Sequence, residues 1–199
     1  MSQSEYKKQI LFIHGGDSFS SHEAYIHDLR TKTLDYERLK PRTRWSNAFE
    51  HAYPDSDILM PTMPNSSNAR FDEWSILFEK IIPFLTPHAT LIGHSLGAMF
   101  LAKYLHDTPL SRPVQQLMLV AGGYSHPGHD YGSFALHSAS GLEKSAEEIH
   151  LFHSEDDFIV PYDELAKYTE DLPTAHIHSF SDRNHFLDPE FPELLALIK

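Results

Sequence analysis

Residues 90–100, Thr-Leu-Ile-Gly-His-Ser-Leu-Gly-Ala-Met-Phe, join a short apolar run to a segment with apolar residues at helical spacing. A strand, then G-x-S-x-G, then a helix is the context of a nucleophile elbow, a tight turn that presents a serine at the top of a parallel sheet. Gly93 and Gly97 face each other across this turn, where side chains would keep the helix away from the strand. The stretch therefore predicts Ser95 as an exposed nucleophile.

The composition is that of one folded domain. The chain has 199 residues, of which 41% are hydrophobic, so we predict a single domain over residues 1–199. A net charge of −12 argues against nucleic acid and anionic membranes as partners. The absence of cysteine excludes disulfides and thiolate chemistry.

The amino terminus and the hydropathy pattern indicate in which cellular compartment the protein is expected. The first eight residues lack the apolar stretch of a signal peptide. No run approaches the 18 apolar residues of a membrane span. We therefore expect a cytoplasmic protein with no membrane partner.

Short apolar runs alternate with helical patterns along the chain, which indicates an α/β fold. The predicted strands are residues 9–13, 57–61, 90–93, 116–122, 148–153 and 176–180. We expect a mostly parallel six-stranded sheet with helices on both faces and little or no lid domain. Residues 123–147 show neither a clear strand nor a long helix, and they lie where a lid or a substrate-pocket excursion would be expected.

Two further segments carry alternative interpretations. Trp74 falls on a helical apolar face that Pro83 ends or kinks, so we expect it in the core, with a pocket-lining role as the alternative. A basic cluster stands out in this acidic chain. Its members are Lys32, Arg38, Lys40, Arg42 and Arg44. Such a run usually forms a solvated face, and contact with an anionic substrate group is the alternative.

A serine hydroxyl needs a base to take its proton and a carboxylate to orient that base. His185, between the last strand and the last helix, is the candidate base. Asp157 is the candidate acid, with Asp156 as its rival, and Asp157 is preferred because the apolar Val160-Pro161 pair anchors its loop. The chain order Ser, Asp, His is that of α/β-hydrolases.

Other histidines and backbone groups complete the expected site. His176 and His178 lie within a strand, and His94 is expected to be structural or to line the pocket. The oxyanion of acyl transfer needs N–H donors, each worth roughly 3 kcal/mol. Leu96 is the expected first donor, and Gly16 or its neighbour Gly15 the second.

Side chains near the strand ends supply the remaining candidates. His14, Gly15 and Tyr124 are candidate substrate contacts. The sequence shows no metal-binding motif, so we expect neither a metal nor another cofactor.

With these residues in place, the chain resembles the α/β-hydrolases, and more narrowly the small single-domain serine hydrolases related to retinoblastoma-binding protein 9. The resemblance rests on four features in order: Met60-Pro-Thr-Met-Pro64, the helix of Trp74, Gly-His-Ser-Leu-Gly, and Asp157-x-x-Val-Pro. Residues 18–42 look like an insertion relative to that family.

The resemblance implies a Ser95–His185–Asp157 triad that hydrolyses ester-like acyl bonds of a small-molecule substrate. The expected enzyme is a carboxylesterase or thioesterase that forms an acyl-enzyme and needs no cofactor. Two alternatives stay open. One is a protein-interaction module on a hydrolase scaffold with little or no turnover. The other is an acyltransferase or perhydrolase that uses the same triad.

Overall fold

The computed structural model describes residues 7–199, apart from the side chain of Arg38. Residues 1–6, over which the sequence predicts no signal peptide, lie outside this range. One sheet contains six parallel strands in the order β2-β1-β3-β4-β5-β6. The strands are β1 (Gln9–Ile13), β2 (Asp57–Leu59), β3 (Ala89–His94), β4 (Val114–Val120), β5 (Ala146–Ser154) and β6 (His176–Phe180). The predicted parallel α/β architecture is confirmed.

Helices connect the strands and cover both faces of the sheet. They are α1 (His22–Thr31), α2 (Phe49–Ala52), α3 (Phe71–Ile81), α4 (Leu96–Asp107), α5 (Glu164–Asp171) and α6 (Pro192–Leu197). Across residues 7–199, no helix combines the length and the apolar character needed to cross a membrane. Residues 123–145 contain only two short 3-10 helices, as the lack of a pattern there predicted.

Each face of the sheet carries its own hydrophobic core, because successive residues of a strand point to opposite sides. Leu11 and Ile13 pack with residues of α3, α4 and α5 on one face. Ile10 and Phe12 pack with residues of α2 and α6 on the other. Trp74 is fully buried in the first core, and its indole N–H donates to the carbonyl of Pro64 at 2.7 Å. Its assignment to the core is therefore confirmed.

Several strand boundaries differ from the predicted ones, and the end of β4 has a local reason. The fourth strand ends at Val120 rather than Gly122, because Ala121 turns the backbone into the left-handed region with φ 49°. The last helix begins at Pro192, and proline suits the first turn because that turn needs no N–H partner. Helix α1, which lies in the segment that looked like an insertion, has no buried residue.

The strand order fixes where a site can form. From β1 the chain moves to β2 on one side, and it later returns to place β3 on the other side of β1. The loops that leave β1 and β3 therefore diverge at their carboxyl ends. Such a switch point opens a crevice in an α/β sheet, and here it lies between the Gly15-Gly16 loop and Ser95.

Candidate active site

Ser95 occupies a strained turn between β3 and α4. Its backbone has φ 56° and ψ −120°, a region that residues with a side chain rarely adopt. A Cβ atom at Gly97 would lie 2.2 Å from the carbonyl oxygen of Ile13, and one at Gly93 would lie 2.5 Å from the oxygen of Gly97. Both glycines are thus required by the close approach of α4 to the sheet, as the sequence predicted.

His185 and Asp157 form a buried pair on two neighbouring loops. Nδ1 of His185 lies 2.8 Å from Oδ2 of Asp157, and their side chains are 4% and 0% exposed. The second oxygen of Asp157 accepts the N–H groups of Ile159 at 2.8 Å and Val160 at 3.0 Å. These bonds orient the carboxylate toward the imidazole, so that Nδ1 carries a proton and Nε2 is left as the basic atom.

Asp156, the rival acid, has a different role in the structure. Its Oδ1 accepts the hydroxyl of Ser154 at 2.5 Å and the N–H of Asn184 at 2.9 Å. The hydroxyl of Ser154 in turn accepts the N–H of Arg183 at 3.0 Å. The Ser154 hydrogen bond is the main cause that lowers the pKa of Asp156. Asp156 therefore fastens the loop of His185 to the end of β5, whereas Asp157 contacts the imidazole.

The loop after β1 passes directly beside the serine. A Cβ at Gly15 would lie 3.1 Å from the Cβ of Ser95, and one at Gly16 would lie 2.4 Å from the carbonyl oxygen of Ser66. The N–H of Asp17 donates to that same oxygen at 2.8 Å, which pins the loop. Leu96 is the first residue of α4, so its N–H has no partner within the helix. Both proposed oxyanion donors therefore lie on segments next to Ser95.

Two cavities meet at Ser95. The larger has a volume of about 430 Å³, and Ser95, His185, Gly15 and Gly16 all line it. The smaller, of about 200 Å³, is lined by Ser95, Gly16 and Leu96, and also by Tyr131 of the 123–147 segment. The structure thus brings the predicted nucleophile, the base and both backbone donors to one crevice.

The structure places two of the predicted substrate contacts outside the two cavities at Ser95. The side chain of Tyr124 donates its hydroxyl to Asp171 at 2.5 Å and packs on Tyr168, with ring centroids 5.1 Å apart, so it belongs to the core. Nε2 of His14 accepts the N–H of Met63 at 2.9 Å, and its ring packs on Trp74. His14 thus joins the loop after β1 to the loop of Met63, and it lines neither cavity at Ser95. Gly15, the third candidate, does lie on the cavity wall.

His94 contacts His185 through a hydrogen bond and through its ring. Its Nε2 lies 2.9 Å from the carbonyl oxygen of His185, and the two rings are 5.1 Å apart. Burial, followed by the charges of His185 and Arg44, lowers the pKa of His94 to about 3. The ring is neutral at physiological pH and donates to that carbonyl, so both expected roles, structural and pocket-lining, apply.

Buried neutral histidines predict that acid destabilises the fold. Burial lowers the pKa of His150 and His153 to about 4, and that of His94 to about 3. The unfolded chain binds these protons below a pKa of about 6.5, so stability is complete above that pH and falls as the pH drops toward 4. Below the unfolded pKa each histidine contributes about 1.4 kcal/mol per pH unit, and the three together at most roughly 6 kcal/mol between pH 7 and pH 5.

Urea unfolding at pH 7, 6 and 5 measures this effect. His150→Gln removes one titrating group and is expected to reduce the pH slope by about a third relative to the parent protein. A free energy of unfolding that stays constant or rises between pH 7 and pH 5 would contradict the account.

Several cavity residues were not identified as site residues from the sequence. Trp45 forms part of the wall, and its indole N–H donates to the carbonyl of Phe186 at 3.0 Å. Ser66 and Ser67 also line this cavity. No local motif marks these positions, because only the packing of distant loops brings them to Ser95. In residues 7–199, no group of three or more His, Asp or Glu side chains is arranged to hold a metal ion.

The fold and this site define the class of the protein, an α/β-hydrolase with its serine on a nucleophile elbow. A family model described as serine hydrolase matches residues 36–188, and the chain belongs to that family. The protein is therefore a hydrolase of the serine type.

Individual relatives agree with this assignment. The chain is 28% identical over 156 residues to "Serine hydrolase RBBP9" of Rattus norvegicus. This alignment covers 73% of this chain and 78% of the relative. This match confirms the narrower resemblance. The crystal structure of the ydeN gene product from B. subtilis superposes with a TM-score of 0.73 at 20% identity, covering 96% of both chains. The monoacylglycerol lipase of Paleococcus ferrophilus gives 0.59 at 15% identity, covering 96% of this chain and 91% of the lipase.

Proposed function

We propose that the protein hydrolyses an ester or thioester of a small acyl substrate through a covalent acyl-enzyme on Ser95. One observation carries the proposal: the His185 imidazole, paired with Asp157 at 2.8 Å, lines the same cavity as the strained Ser95. A cavity of about 430 Å³ suits a small molecule. Membership of the serine hydrolase family supports the reaction class.

In the first half of the reaction, Ser95 Oγ attacks the acyl carbon while Nε2 of His185 accepts its proton. The Asp157 carboxylate holds the Nδ1–H and stabilises the imidazolium that forms. The N–H groups of Gly16 and Leu96 bind the oxyanion of the tetrahedral intermediate. The intermediate collapses when the C–O or C–S bond breaks and the leaving group takes the proton from Nε2.

The second half repeats these steps with water. His185 accepts a proton from the water as its oxygen attacks the acyl carbon of the ester on Ser95. The C–Oγ bond then breaks, Oγ regains a proton from Nε2, and the carboxylic acid leaves. Apart from the substrate and this water, every group that takes part in the scheme belongs to the chain.

Rapid mixing with p-nitrophenyl esters tests the acyl-enzyme. We expect a burst of p-nitrophenolate that approaches one equivalent per protein, because acylation by this activated ester outpaces deacylation. A series of acyl chain lengths and a matched thioester then define the preferred substrate. The absence of both a burst and steady-state turnover across the series would contradict the proposed function.

A further inference from the structure

The larger cavity at Ser95 has a cationic wall. Arg42 and Arg44 both line it, although they lie more than 50 residues before the serine in the chain. The charge of Arg44 is one of the causes, after burial and His185, that lower the pKa of His94. Arg42 and Arg44 are exposed residues, and both line the cavity that contains Ser95 and His94.

These two arginines differ from the other described members of the basic cluster. Lys32 lies 3.5 Å from Asp17 and 3.7 Å from Asp28, and Lys40 lies 2.7 Å from Glu37. Within residues 7–199, neither Arg42 nor Arg44 has a carboxylate within 4.0 Å, and the side chain of Arg38 is outside the described part. Among the described side chains of this basic cluster, the two without an acidic partner are thus the two that line the cavity.

The rest of the cavity wall favours a singly charged anion. Ser66 and Ser67 supply hydroxyl groups that can donate hydrogen bonds. Asp17 also lines the cavity, and its carboxylate is balanced by Lys32 at 3.5 Å. A nearby carboxylate repels a dianion more than a monoanion, so a carboxylate fits this wall better than a phosphate.

The smaller cavity at Ser95 has a different lining. Met99 and Val160 contribute apolar surface there, Asp28 and Asp130 contribute carboxylates, and neither arginine lines it. A carboxylate of a substrate bound at Ser95 therefore meets acidic side chains in the smaller cavity and two guanidinium groups in the larger one.

We propose that the physiological substrate carries a carboxylate on one side of its scissile acyl bond, and that Arg42 and Arg44 bind this carboxylate. The inference rests on the proposed function, since it names the substrate class of the same site. Guanidinium groups pair with carboxylates through two parallel N–H···O bonds, which fix the orientation of the substrate as well as its charge.

Matched esters that differ only in charge test the inference. Mono-p-nitrophenyl adipate against methyl p-nitrophenyl adipate places the carboxylate on the acyl side. The 3-acetoxybenzoate anion against methyl 3-acetoxybenzoate places it on the leaving-group side. In one of these pairs we expect kcat/KM to be about tenfold higher for the anion. The double variant R42Q/R44Q is expected to lower that preference about tenfold, and added salt to weaken it.

Lys40→Gln is the control, because it removes one positive charge from the same cluster at a residue that lines neither cavity. It is expected to keep the anion preference of the parent protein. Equal rates for the anionic and neutral esters in both pairs, or an unchanged preference in R42Q/R44Q, would overturn the inference while the proposed hydrolysis stands.

If no ester is turned over, that result counts against the proposed function alone. A binding measurement then still tests the inference. Titration calorimetry compares monomethyl adipate with dimethyl adipate on Ser95→Ala. About tenfold tighter binding of the monoanion, lost when R42Q/R44Q is added, supports the carboxylate site. Equal binding of the two compounds overturns it.

Discussion

Replacing Ser95 by alanine is expected to lower kcat/KM for p-nitrophenyl esters by about 10⁴-fold or more, because the covalent route through the acyl-enzyme is lost. The oxyanion donors and the cavity stay in place, so a small residual rate above that in water is expected. Steady-state hydrolysis of a short-chain ester measures the loss. The variant should keep the unfolding midpoint of the parent protein within a few degrees.

Ser75→Ala is the matched control for this substitution. The Ser75 hydroxyl donates to the carbonyl of Phe71 within α3 at 2.8 Å and lines neither cavity at Ser95. Activity within a factor of two of the parent is expected. If Ser95→Ala retained more than a tenth of the parent activity, another residue would have to be the nucleophile.

Asp157→Asn is expected to lower kcat by about 10³- to 10⁴-fold with little change in the fold. An amide in this place can donate to Nδ1 and so favour the tautomer that puts the proton on Nε2, where it blocks the acceptance of the serine proton. The pH dependence of kcat and circular dichroism separate this effect from unfolding.

Asp156→Asn separates the two neighbouring carboxylates. Asp156 accepts hydrogen bonds from Ser154 and Asn184 but does not contact the imidazole, so we expect activity within about tenfold of the parent. A large loss in Asp156→Asn together with a small one in Asp157→Asn would reverse the assignment of the two residues.

Ser95, Asp157 and His185 could be predicted from the sequence because each lies in a short local motif or directly after a predicted strand. Gly93, Ser95 and Gly97 lie within five consecutive residues, and the steric demand on both glycines follows from the turn alone. The positions of Asp157 and His185 followed from the rule that parallel strands end at one edge of the sheet. The strand order that places β1 between β2 and β3 was not predicted, since apolar runs do not encode their neighbours.

The residues that line the cavity were harder to predict from the sequence, because they come from loops that are distant along the chain. Tyr124 looked like a pocket residue, yet its hydroxyl is taken by Asp171, which lies 47 residues further along the chain. His14 follows a strand as an active-site residue would, but its ring nitrogen accepts the N–H of Met63. The basic cluster is visible in the sequence, but only the fold shows that Arg42 and Arg44 are the described members that line the cavity of Ser95.

Covalent labelling, with the labelled peptide identified by mass spectrometry, tests directly whether Ser95 is the nucleophile. A fluorophosphonate reacts with an activated serine, and Ser95 is the sole serine in the tryptic peptide that spans residues 81–103. We expect one adduct per chain on that peptide in the parent protein, and none on it in Ser95→Ala. An unlabelled parent protein, or an adduct on another peptide that persists in Ser95→Ala, would contradict the assignment of Ser95 as the nucleophile.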